Sequence, residues 1–148
     1  MKWKQLQDGE LRMFALVFDK DDEVIAELTD FAKQQNLSAS QFTGLGAFRS
    51  VTLGFFDWEQ KDYQRIAITE QVEVVALVGD ITLDESDGHK LHPHVVVAKS
   101  DGTAHGGHLL EARVRPTLEV VLSETPAHLR RRSDPETGLA LIDIETPQ

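Results

Sequence analysis

Four of the six histidines of the chain fall within one stretch, LHPHVVVAKSDGTAHGGHLLEARV, from Leu91 to Val114. Alternate residues of an extended strand point to the same side, so His92 and His94 present two imidazoles to one point in space. Asp101-Gly102 is a tight-turn signal, because glycine accepts the positive φ such turns demand, and it folds the chain back toward that point. Gly106-Gly107 leaves the backbone unencumbered just ahead of His108, and both His105 and His108 lie within reach as a third imidazole. Three neutral histidines suit zinc or a similar divalent ion, with a fourth position open to water, a carboxylate or a small anionic molecule. Pro93 has no N–H to donate, which fits an edge or bulged position and hence an accessible site. The plainer alternative is that these histidines only hydrogen-bond backbone and solvent. The His-x-His pair followed across a hairpin by Gly-Gly-His favours the metal.

The chain has no cysteine, so a metal must be held by imidazole and carboxylate, and disulfide scaffolding and cysteine nucleophiles are excluded. Other candidates surround the histidines. Gly44-Leu45-Gly46-Ala47-Phe48-Arg49 lacks the third glycine, following helix or lysine of a nucleotide loop, so its glycines read as close strand packing. Arg49 is a candidate clamp for an anionic ligand, with a surface salt bridge as its plain alternative. Glu73, in EVVALVGD, alternates with Val75 and Leu77; on their inward face it would need a partner such as Arg49 or a ligand histidine, and it is the available base for any catalytic extension. Asp80 reads as a turn or strand-end residue. No nucleophile elbow supports Ser/His/Asp catalysis, no substrate is legible, and enzymatic activity is left unassigned.

The elements that must position these residues are readable from periodicity. Leu11–Phe18 is a short apolar run with strand character, and Asp19-Lys20-Asp21-Asp22 supplies turn and capping chemistry. Val24, Ile25, Leu28, Phe31 and Ala32 then recur at helical spacing, predicting a helix from Asp22 to Asn36. Beyond it the pattern changes to short apolar runs over 40–48, 51–58, 63–69, 73–83, 94–99 and 117–123, with a final pair over 127–132 and 139–144 joined by Ser-Asp-Pro-Glu-Thr-Gly. Asp87-Gly88 marks a further hairpin. The expected fold is α+β, with one main helix near the N-terminus and a largely antiparallel sheet, in a single domain spanning 1–148.

With 148 residues, 41% hydrophobic and 27% charged, the composition is that of one globular domain. Net charge is -10, which opposes attraction to phosphate backbones, and Arg130-Arg131-Arg132 beside Asp134 and Glu136 reads as a solvated hairpin end. DNA is therefore not the default partner. No apolar run approaches the roughly 20 residues of a membrane span, and Met1-Lys2-Trp3-Lys4 does not lead into a signal core, so no membrane partner and a cytoplasmic location are expected.

Assembled, these segments resemble the plants-and-prokaryotes conserved domain, the PPC family, over nearly the whole chain. The resemblance is carried by GLGAFRSVTLGFFD, VEVVALVGDIT, HPHVVVAKSDGTAHGGHLLEARV and a closing TLEVVLSE with SDPETGL, and above all by His-x-His followed by Gly-Gly-His-Leu. It implies a compact α+β domain, usually a homotrimer, with His92, His94 and His108 as metal ligands and His105 moved to a supporting or surface position. It also implies a competing role as a DNA-binding or regulatory module, since relatives carry that description, with Arg113, Arg115 and Arg130–Arg132 as the basic patch. No Arg-Gly-Arg-Pro core of an AT-hook occurs in the chain. A third option is an interaction domain whose Phe55, Phe56 and Trp58 form a subunit contact.

Overall fold

The structure, a computed structural model, describes residues 1–145. Strand β2 (Arg12–Phe18) shows why a sheet forms: Phe14, Leu16 and Phe18 alternate onto one face and are fully buried. The helix α1 (Val24–Gln35) buries Val24, Leu28, Phe31 and Ala32 against this sheet, and Phe31 meets Phe14 edge-on with ring centroids 5.3 Å apart. Glu23 caps its start by accepting from the Ala26 N–H at 2.7 Å, and Asn36, at φ 51°, ends it in the left-handed region.

Strand β1 (Lys2–Gln7) pairs with β2 along the edge of the sheet. The other strands are β3 (Ala39–Asp57), β4 (Asp62–Ile68), β5 (Val72–Leu83), β6 (His89–Ala98), β7 (Ala104–Glu124), β8 (Arg130–Ser133) and β9 (Ala140–Asp143). All belong to one sheet, in the order β1-β2-β7-β3-β5-β8-β9, with β4 on β3 and β6 joined to both β5 and β7. Strands β3, β5, β6 and β7 thus form a closed circuit of pairing around one apolar core that includes Phe42, Phe48, Leu77, Val97 and Leu122. Every ladder is antiparallel except one parallel bridge, Leu83 to Arg130, which makes the sheet mixed.

The α+β expectation is met in its broad form, with sheet predominating over one helix of 12 residues. That helix, expected near the N-terminus, is the third element in chain order, following two strands rather than one. The two strands expected over 40–48 and 51–58 are one 19-residue strand, β3, continued across the Arg49-Ser50 break by bulges in its pairing with β7. The two hairpins marked by Asp87-Gly88 and Asp101-Gly102 are present, Asp87 and Gly102 taking φ 64° and 83°.

Candidate metal centre

Strand β6 alternates with the expected sense. Pro93, Val95 and Val97 are buried, whereas Lys90, His92 and His94 share the opposite, outer face. Pairing with β7 covers only His94–Ala98, so Pro93 lies where β6 has no partner on that side and loses no hydrogen bond. The Asp101-Gly102 hairpin sets His108 directly across from His94. Ligand nitrogens of His92, His94 and His108 come within 4.8 Å of one another. His92 Nε2 and His94 Nε2 stand 3.3 Å apart, and the rings of His92 and His108 stack with centroids at 5.4 Å.

Two neighbours hold this cluster that the sequence reading left out. Tyr63 of β4 stacks on His108 with ring centroids 4.8 Å apart. A Cβ on Gly54 would lie 2.7 Å from Tyr63 Cδ1, so the bare glycine beneath the ring is what lets Tyr63 settle there. Arg131, read from sequence as part of a solvated run, is buried with 6% exposure. Its guanidinium donates to both Asp80 oxygens at 2.8 and 3.0 Å, to Thr82 Oγ1 at 3.1 Å and to the Ala140 carbonyl at 2.8 Å. Asp80, expected as a mere strand-end residue, is therefore the counter-ion of a buried cation.

This pair also bears on His92. Arg131 Nη2 lies 3.2 Å from His92 Nδ1, and Asp80 Oδ2 lies 3.6 Å from the same atom. A bare Nδ1 accepts from Arg131, whereas a protonated Nδ1 faces Asp80. The second tautomer leaves Nε2 free to ligate, the usual arrangement of a carboxylate behind a metal-binding histidine.

The cluster fits a divalent ion on three counts. In a tetrahedral site with metal–nitrogen bonds of about 2.0–2.1 Å, adjacent nitrogens stand about 3.3 Å apart, the spacing of the two facing Nε2 atoms. His108 Nδ1 is buried with no hydrogen-bond partner among the described residues, a costly state for a polar atom unless something binds it. Burial, reinforced by the charges of His94, His92, Lys90 and Arg131, brings the His108 pKa down to about 4. Burial, followed by the Arg131 charge, also holds His92 below its ordinary value, with Asp80 opposing. Neutral imidazoles ligate without first losing a proton.

The remaining candidates lie elsewhere. Arg49 is exposed and donates to Asp21 Oδ1 at 2.8 Å, the surface salt bridge rather than a clamp on the cluster. Glu73 is exposed because a bulge between Val74 and Ala76 shifts the alternation of β5, putting Val72, Val74 and Leu77 inside and Glu73 and Val75 outside. It pairs with Ala98, five residues along β5 from the Val78–His94 pair, or about 16 Å away, too far to serve a ligand histidine as base. His105 sits across from Val97, three residues before His108 on the same strand, and so points to the opposite face. The basic run is neutralised residue by residue, with Arg130 on Asp87 and Arg132 on Asp143 flanking the Arg131–Asp80 pair.

A model of the Plants and Prokaryotes Conserved (PCC) domain matches residues 5–126. The chain belongs to this family. Among solved structures, a candidate DNA-binding protein from Bacteroides thetaiotaomicron superposes with a TM-score of 0.86 at 28% identity, covering 97% of this chain and 99% of that one. A metal-containing protein from Archaeoglobus fulgidus gives 0.81 at 29% identity, covering 88% and 91%. The Bifunctional protein GlmU of Synechococcus sp. (strain JA-3-3Ab) is 32% identical over 143 residues, which take in 95% of this chain but 22% of that protein. The chain thus spans about a fifth of this curated relative. The match to the Plants and Prokaryotes Conserved domain takes in all three histidines, Tyr63 and Asp80, and ends before β8 and β9, so Arg131 comes from outside it.

Proposed function

We propose that this chain is a cytoplasmic, homotrimeric metalloprotein in which His92, His94 and His108 hold a zinc-like divalent ion and a small anionic molecule binds beside it. The observation that carries the reading is the gathering of ligand nitrogens of His92, His94 and His108 within 4.8 Å of one another, with two Nε2 atoms 3.3 Å apart. The ion would supply positive charge and Lewis acidity, while Asp80 and Arg131 fix the His92 ring and Tyr63 packs the His108 ring in place. The metal-containing relative from Archaeoglobus fulgidus supports the same reading.

Self-association finds support on the outer face of the sheet. Val121 of β7, Thr43 of β3 and Val78 of β5 lie in one cross-strand row that continues into His94, with Val17 and Leu45 in the adjoining row on either side of Glu119. Val17, Leu45, Val78 and Val121 are all exposed, between 41% and 63%, an apolar band that water disfavours. Phe55 and Trp58 are exposed as well, whereas Phe56 packs edge-on against Tyr63.

Elemental analysis of purified protein tests the metal reading: about one divalent ion per chain is expected, lost in His92→Ala and kept in His105→Ala. Unchanged content in His92→Ala removes the site. A second reading, DNA association, is favoured by the Bacteroides thetaiotaomicron relative and opposed by the paired basic run. No retardation of duplex DNA is expected in a gel at low salt with micromolar protein; salt-sensitive retardation would turn the choice the other way.

A further inference from the structure

A cleft of about 420 Å³ opens between the histidine cluster and the β8–β9 hairpin, at the small end of the roughly 300–1,000 Å³ typical of ligand sites. The chain carries 25 acidic residues against 15 basic ones, yet among the described residues no Asp or Glu lines this cleft. Its walls hold two cations, Lys90 and Arg131. The guanidinium of Arg131 is already committed to Asp80, Thr82 and the Ala140 carbonyl. Lys90 is different. It shares the outer face of β6 with His92 and His94, it forms no ion pair among the described residues, and its charge is felt at His108. One free ammonium beside a guanidinium already neutralised by Asp80 matches a monoanion better than a phosphate dianion, which calls for several donors. The rest of the lining mixes the polar His92, His108 and Ser133 with an apolar part made of Tyr63, Leu91, Leu139, Ala140 and Leu141. Leu141 keeps 44% exposure, leaving apolar surface for a ligand to cover.

We infer that this cleft takes a small carboxylic acid with a short apolar tail, the carboxylate drawn between Lys90 and the histidine cluster and the tail lying along Leu139 and Leu141. The inference rests on the three-histidine reading for the second contact of the carboxylate and gives that reading a ligand class. Six of the eleven lining residues come from β8, β9 and the turn between them, all beyond the stretch that matches the family. The hairpin is accordingly the wall that determines specificity.

Calorimetric titration of the full-length, zinc-supplied protein with sodium acetate, butanoate and hexanoate tests it, with metal content measured on every sample. Affinity is expected to rise by about fourfold for each methylene the cleft covers, the value for burying a CH₂ group, and neutral hexanamide should bind at least tenfold more weakly than hexanoate. Lys90→Met should weaken hexanoate at least tenfold with recovery in Lys90→Arg, Leu141→Asp should erase the gain with chain length, and Lys20→Met should match wild type. Hexanoate no tighter than acetate, or hexanamide as tight as hexanoate, in the unaltered chain overturns the inference whatever the variants do. Full metal content with those failures leaves the metal reading standing. Metal-free protein that still shows both dependences removes the metal reading and supports the cleft as an anion site in its own right.

Discussion

His108 concentrates the electrostatic character of the site. Burial first, then the neighbouring cations and imidazoles, pulls its pKa from 6.5 to about 4. Between those two values the unfolded chain takes up a proton that the folded chain refuses, so stability that is complete above pH 6.5 is lost as the pH falls toward 4 and falls no further on this account below it. Metal-free protein should therefore show a Tm that declines across that window, with a shallower decline in His108→Gln. A His108 ring resonance titrating near 6.5 by NMR would contradict this. The three histidines were legible in the sequence because strand alternation and a short glycine-bearing turn are local rules. Residue spacing left His105 and His108 equal and the family resemblance chose His108; the hairpin register gives the physical reason, placing one imidazole opposite His94 and the other on the far face. Arg131 was not legible because Thr82 and its counter-ion Asp80 lie 49 and 51 residues away. The signal that could have found it was Asp80, a carboxylate inside the apolar run of β5 that required a cation from somewhere.

The elements divide by how much of their character is written locally. The helix was legible because four buried positions recur at its period and Asn36 stops it. The 21-residue strand β7 was legible only in its last third, since Gly106-Gly107 and Pro116 look like punctuation. In the fold those glycines are close approaches: a Cβ on Gly107 would stand 2.8 Å from the Gly54 carbonyl oxygen. Pro116 falls in the gap between the Val114 and Leu118 pairings with β3, where no N–H is called for. Strand β1 escaped notice because all six of its residues are exposed, held in line by edge pairing with β2 and by Trp3, whose ring meets Phe14 and Phe31 edge-on. Glu73 shows the converse failure, in which a correct strand carried a wrong face. A bulge inserts one residue and reverses the phase of everything before it, and no composition rule announces its position.

At the scale of the whole molecule, a net charge of -10 coexists with an exposed apolar band and a cation-lined cleft on one outer face. Light scattering should give three times the chain mass of 16.5 kDa, and Val121→Lys, which places a charge in the middle of the band, should shift the mass toward the single chain. A monomeric wild type would remove the trimer from the reading. No helix among the described residues is long and apolar enough to cross a membrane. The pairing of β7 with both β2 and β3 has a further consequence, one of timing. The ladder runs from Arg12 against Glu124 and from Ser40 against the same residue, so the strands made first wait for the last stretch of β7. The hairpin that brings His94 to His108 closes over a short loop instead. During synthesis the metal-binding corner is therefore free to form while the amino-terminal strands still lack their neighbour, and completion of the sheet is the slow, late event that high sequence separation imposes.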